Sequence, residues 1–152
     1  MSDHPRGPVI GTRAFGGTAN HVTQHGTATI GGYREGSVTS CIKHFPGQGT
    51  TVTNSHFSLP VPNHSIERLN TVDLVPFNAT IRAGADMVMM SHLLARYIDA
   101  DTPASPSAWI INVLLKRQCK IRGIIVTNAL DMKAITDTYE LAAASVLAVM
   151  TG

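Results

Sequence analysis

The stretch VTSCIKHF at residues 38–45 is apolar and β-branched and runs directly into Pro46-Gly47. That is the pattern of a strand buried on both faces and closed by a turn. Two later runs repeat it, DMVMMSH at 86–92 and GIIVTNA at 123–129. Each of the three ends, on its C-terminal side, in polar groups able to do chemistry: Lys43-His44, Ser91-His92 and Thr127-Asn128. Between the first and second runs, Ile66, Leu69, Val72, Leu74, Val75, Phe77 and Ile81 recur at spacings of three and four. This predicts an amphipathic helix that opens at a Ser65 cap, ends at Gly84 and is kinked or divided by Pro76. Between the second and third runs, SPSAWIINVLLKRQ at 105–118 predicts a helix with Pro106 in its first turn. A last helix is expected from about Asp131 to Met150. From Val38 onward the order is β, loop, α, β, α, β, α, with each strand nearly all apolar, which argues for parallel strands with helical crossovers.

Upstream of Val38 the signals weaken. Residues 1–17 are rich in Gly, Pro and Thr and read as loop, with Val9-Ile10 the one candidate strand end. Residues 18–36 have room for a helix but contain Gly26, Gly31 and Gly32. Each costs about 1 kcal/mol against Ala in a helix interior, so only a weak helix is expected. The segment from Pro46 to Asn63 is a long aperiodic loop of the functional or mobile kind. Two architectures fit the alternation: an open doubly wound sheet and a (β/α)8 barrel. A whole barrel takes about 250 residues, so 152 residues hold only part of one. In both, ligands bind at the carboxyl ends of the strands, where the three polar pairs would converge.

Composition narrows the function. The chain is 43% apolar and 14% charged, with a formal net charge of +2, which suits one globular domain over residues 1–152 and excludes a disordered tail or a coiled coil. Its 12 Lys and Arg are scattered, so a nucleic-acid partner is not expected. The longest uncharged stretch, between Lys43 and Glu67, is full of Pro, Gly, Asn, His and Thr and cannot span a bilayer. No apolar leader follows the N-terminus, so a cytoplasmic location is expected. Cys41 and Cys119 sit in apolar runs outside any CxxC pair and read as reduced structural thiols. No metal site is expected, and His4, His21, His25 and His64 read as surface residues. Met87, Met89, Met90 and Trp109 read as packing. The glycines of KHFPGQG fit neither phosphate-loop spacing, and no cofactor is expected.

KHFPGQGTT at 43–51, NSH at 54–56, LPVPNHSIERLNTVDLVPFNATIRAGADMVMMSH at 59–92 and IIVTNALDMKAI at 124–135, with VIGTRAFG at 9–16, resemble the N-terminal barrel domain of glycoside hydrolase family 3. The resemblance is to its bacterial β-N-acetylglucosaminidase (β-N-acetylhexosaminidase) branch, whose members trim cell-wall muropeptides. It covers nearly the whole chain but only the middle to late βα units of the barrel. It therefore implies a partial (β/α)8 TIM barrel and hydrolysis of O-glycosyl bonds in N-acetylglucosamine-containing glycans by a retaining mechanism. Such a mechanism needs a carboxylate nucleophile and a general acid/base on either side of the bond.

By that resemblance the nucleophile is the first Asp of a motif S/T-D-x-L-x-M, which here reads Thr127-Asn128-Ala129-Leu130-Asp131-Met132 and places Asn128 at the nucleophile position. Asp131 matches a variable position of the motif and does not replace it. The acid/base is a His in a D-S-H triplet, here Asn54-Ser55-His56, so His56 remains while its partner Asp has become Asn54. An amide is a poor nucleophile and cannot stabilise an imidazolium, so hydrolysis is expected to be lost or weak. The substrate-binding set implied by the resemblance is Arg13, Lys43 and His44, with His92 lining the same pocket. Gln48 stands where the family commonly has His. Two other outcomes stay open, a non-catalytic amino-sugar-binding remnant and a barrel fragment without function of its own. A partial barrel exposes sheet edges, which a second copy could cover by forming a homodimer.

Overall fold

The computed structural model describes residues 10–48, 51 and 53–152. Three parallel strands, β1 (Cys41–Phe45), β2 (Met87–Met90) and β3 (Ile124–Val126), form one sheet in the order β1-β2-β3. They run in step, with Cys41 opposite Met87 and Met87 opposite Ile124. All three carboxyl ends therefore lie on one rim. Each strand is shorter than its apolar run because the terminal polar residues leave the ladder.

β2 is paired on both sides, and its Val88 and Met90 are wholly buried beside Phe45, Leu74, Leu93, Ile110, Leu114 and Leu115. Phe45 packs edge-on against Phe77 with ring centroids 5.1 Å apart. At the amino ends of the strands, Asp86 Oδ2 accepts from both the backbone N–H and the hydroxyl of Ser40 at 2.8 Å. These bonds favour the carboxylate and hold the Asp86 pKa below its ordinary value. The Asp86 carbonyl accepts from Ile124 N–H at 3.0 Å, and a Cβ on Gly123 would collide with that same carbonyl oxygen. Only glycine lets the chain enter β3 so close to β2.

The helices depart from expectation in instructive ways. Helix α1 (Ala19–Glu35) is a full 17 residues, capped by Thr18, whose hydroxyl accepts from His21 N–H. Its Gly26 is buried against α3 (Leu74–Arg82), where a Cβ would stand 2.9 Å from Thr80 Cγ2. The glycine that lowers helix propensity is the one that lets two helices close on each other. The amphipathic stretch is divided as expected, by a π-turn (Leu69–Asp73) between α2 (Ile66–Arg68) and α3, just ahead of Pro76, which has no N–H to donate to the preceding turn. Ser65 caps α2 by accepting from Arg68 N–H. The helix expected at 105–118 is the π-helical segment Trp109–Gln118, with Pro106 ahead of it and the Ser107 hydroxyl accepting from Ile110 N–H.

Trp109, expected in the core, is 46% exposed, because it lies on the outer side of that segment while Ile110, Ile111, Leu114 and Leu115 face inward. The single last helix is two, α4 (Lys133–Thr136) and α5 (Leu141–Thr151), separated by extended backbone at Glu140. Ile10 lies in a turn rather than a strand, and Val9 falls outside the described residues. Cys119 is buried, which raises its thiol pKa to about 11, and the half-buried Cys41 is raised in the same direction.

The Gly26–Thr80 contact yields a double-mutant prediction. Gly26→Ala alone lowers the unfolding midpoint. In a Thr80→Ser background, which removes Cγ2 and keeps the hydroxyl bond to the Pro76 carbonyl, the same change raises stability by about 1 kcal/mol of helix propensity. Thermal unfolding followed by circular dichroism reads both signs.

Candidate active site

β1 builds the first part of the site. Its pairing runs Lys43 to Met89 and then Phe45 to Met90, so His44 is the extra residue of an irregular ladder. Bulges of this kind re-aim side chains at strand ends. The Lys43–His44 and Phe45–Pro46 peptide bonds are cis. Gly47 follows with φ +138°, and a Cβ there would press on Asp73 Cβ at 3.2 Å. Both facts account for glycine at this turn.

Arg13, Lys43 and His44 line one cavity of about 270 Å³, together with Gly47, Gln48 and Asp73. Five consecutive residues, Ser40 through His44, line it, so it follows the edge of β1 rather than one face. That edge has no strand partner among the described residues. The remaining lining mixes apolar Val22 and Ile30 of α1 and Phe77 of α3 with the polar side chains of Thr29, Tyr33 and Thr80. Burial, reinforced by the charges of Lys43 and Arg13, drives the His44 pKa down from 6.5 to about 4. His44 is therefore a neutral imidazole at physiological pH, able to donate from one ring nitrogen and accept at the other.

The loop after β1 is tied down at several points. Thr51 is buried and bonds through its N–H and hydroxyl to the Gln48 carbonyl. Gln48 is itself buried, with its amide 3.4 Å from Ser55 Oγ. The Ser55 carbonyl accepts from Ala134 N–H and the Pro60 carbonyl from Leu94 N–H, which links this loop to the chain beyond β3 and beyond β2. Within the triplet, Asn54 Oδ1 accepts from His56 N–H at 3.0 Å, and the His56 side chain points to solvent. Beyond β3, Asn128 Oδ1 accepts from Ala129 N–H at 3.0 Å.

The sequence-based set divides in three. Arg13, Lys43 and His44 meet on one cavity. Asn54, His56 and Asn128 sit on the same rim of the sheet but outside that cavity's lining. His92, expected to line the pocket, is instead wholly enclosed: Nδ1 is 2.8 Å from Ser105 Oγ and Nε2 is 2.9 Å from the Ala129 carbonyl.

Two residues escaped the sequence reading. His64, expected at the surface, has a side chain only 7% exposed, with Nδ1 3.1 Å from Asp73 Oδ2. Arg68 Nε approaches the same carboxylate at 3.8 Å. The signal was present as an aspartate between Val72 and Leu74 in an apolar run, but only the π-turn brings it to the cavity. Tyr97 lies beside His64, and burial together with the Asp73 charge pushes its pKa to about 12.

A parallel sheet with helical crossovers and polar groups along its carboxyl rim is the arrangement of a (β/α)8-barrel domain, of whose eight strands three are described here. Residues 1–152 match the glycosyl hydrolase family 3 N-terminal domain. The chain belongs to glycoside hydrolase family 3. It is 33% identical over 151 residues to beta-hexosaminidase A of Pseudoalteromonas piscicida, covering 91% of this chain and 25% of that protein. It is 36% identical over 127 residues to the beta-hexosaminidase of Xylella fastidiosa strain M23, covering 84% and 38%. The solved family 3 beta-N-acetylglucosaminidase from Paenibacillus sp. str. FPU-7 superimposes with a TM-score of 0.96 at 38% identity, covering the whole of this chain and 29% of that one. The beta-N-acetylglucosaminidase from Thermotoga maritima superimposes with a TM-score of 0.84 at 30% identity, covering 94% and 31%. The chain thus spans between a quarter and two fifths of the length of these relatives. Among the described residues, no helix is long and apolar enough to cross a membrane.

The depressed His44 pKa has a sign that can be tested. The unfolded chain takes up a proton near pH 6.5 while the folded chain resists until about pH 4. The stability His44 contributes is therefore present above pH 6.5 and is lost as pH falls through that window. An NMR titration should place the His44 midpoint near 4 and move it upward in Lys43→Gln.

Proposed function

We propose that this chain is a β-N-acetylhexosaminidase-type domain that binds an N-acetylglucosamine-ended glycan at the carboxyl rim of its sheet and has lost most or all hydrolysis. Arg13, Lys43 and His44 are the sugar-binding groups. Lys43 and Arg13 donate from fixed positive charges, and neutral His44 both donates and accepts, a mixture suited to hydroxyls that do the same.

The observation that carries the reading is the state of the two amides. Asn54 Oδ1 and Asn128 Oδ1 each accept from a neighbouring backbone N–H. An aspartate could make the same bonds, so the turns persist while the charge does not. In a retaining reaction Asn128 would stand where the glycosyl ester forms, and a carboxamide there gives neither a competent nucleophile nor a negative charge facing an oxocarbenium-like centre. His56 would protonate the leaving oxygen, but Asn54 offers no charge to stabilise the imidazolium.

The relatives named hexosaminidase or acetylglucosaminidase support the amino sugar as ligand. Binding without cleavage is favoured over a full enzyme by the paired loss of charge. The reading also supports residues 1–152 as one part of a barrel domain acting at this rim.

Two measurements test it. Millimolar N-acetylglucosamine should raise the unfolding midpoint, because a ligand of the native state stabilises by mass action, and Lys43→Ala should abolish the shift. Asn54→Asp combined with Asn128→Asp should raise hydrolysis of an aryl N-acetylglucosaminide by about 100-fold or more over the unsubstituted chain, the scale of restored acid/base catalysis. A sugar-dependent shift without any gain in the double variant would assign the loss to barrel units outside these residues. No shift at all would overturn the binding reading.

A further inference from the structure

We propose that His92 is a positioning residue and not a sugar ligand: its imidazole, carrying its proton on Nε2, pins the turn beyond β3 and so determines where the Asn128 side chain stands. The proposal rests on the reading of Asn128 as the family's nucleophile position. The geometry leaves one arrangement of protons. Nε2 faces the Ala129 carbonyl at 2.9 Å, and a carbonyl only accepts, so Nε2 must donate. Nδ1 faces Ser105 Oγ at 2.8 Å and, in the neutral ring, accepts the hydroxyl proton. His92 is 0% and Ser105 1% exposed, so no solvent competes for the bond between them, while the bond to the Ala129 carbonyl is part-buried.

The turn needs such a tether. β3 has three residues and leaves the ladder at Val126, two residues before Asn128. The Ala129 N–H is taken by Asn128 Oδ1, and the Ala129 carbonyl receives both His92 Nε2 and, at 3.3 Å, Met132 N–H. The peptide units flanking Ala129 are thus held from both sides, once by the residue being positioned and once by His92. Through Ser105 the same ring reaches the segment that leads into Trp109–Gln118. One side chain therefore joins the end of β2, the entry to the next helical segment and the exit from β3.

The test uses the 152-residue chain. Long-range 1H–15N correlation of the His92 ring should show a protonated Nε2 and a bare Nδ1. Amide exchange at Ala129 and Met132 should rise by about fivefold in His92→Phe, the effect of losing one ordinary hydrogen bond, while amides of β1 stay unchanged. His92→Gln, whose side-chain amide reaches the Nε2 position, should restore the protection. A ring protonated on Nδ1 alone overturns the proposal, and that reading needs no variant. So does unchanged exchange in His92→Phe, or a His92 ring signal that shifts on addition of N-acetylglucosamine by as much as that of His44. None of these readouts requires hydrolysis, so failure of the proposed function leaves them interpretable.

Discussion

Everything at the rim depends on three strands running parallel and in step. Were β2 antiparallel, Ser91-His92 would lie at the opposite end of the sheet from Lys43-His44, and no single site could form. The register is held at the amino ends, by the Ser40–Asp86 clamp, the Ile124 bond to the Asp86 carbonyl and the close approach that Gly123 permits. The carboxyl ends, relieved of that duty, are free to leave the ladder and present polar groups. This division of labour between the two ends is what a parallel α/β barrel offers chemistry.

The strands were legible because a buried parallel strand needs an unbroken apolar run and helices cannot disguise one so short. Their polar ends were legible for the same reason, since they interrupt that run. The helices were less so. In α1 three glycines count equally as penalties, yet Gly31 and Gly32 face open space while Gly26 is the seat of a helix crossing, a difference created by Thr80 more than fifty positions away. The break between α4 and α5 leaves no Gly or Pro to mark it. The cavity-lining trio was recognisable from its motifs. The enclosure of His92 and His64 was not, because burial of a polar side chain is decided by which partners arrive, and Ser105, Ala129 and Asp73 arrive only with the fold.

On the proposed reading of Asn54 and Asn128 as catalytic-carboxylate positions, the paired amides separate the mechanical part of a carboxylate's work from its charge. Each asparagine keeps one oxygen on the same kind of backbone donor that an aspartate would use. What goes is charge, and the cavity beside them keeps one carboxylate of its own in Asp73, close to the Gly47 turn. That carboxylate answers to His64 and Arg68, so it belongs to the architecture of the loop.

The clamp at one end and the chemistry at the other also govern which mutations a cell can notice. Protein quality control responds to chains that open, and opening is resisted at the amino ends of the strands, by Gly123 and the Ser40–Asp86 clamp. The printed side-chain bonds of Asn54 and Asn128 are, by contrast, local ones, to the N–H of His56 and of Ala129. Under the proposed reading, selection for a folded chain is blind to the charge at those two positions, since the bonds that set the strand register lie elsewhere.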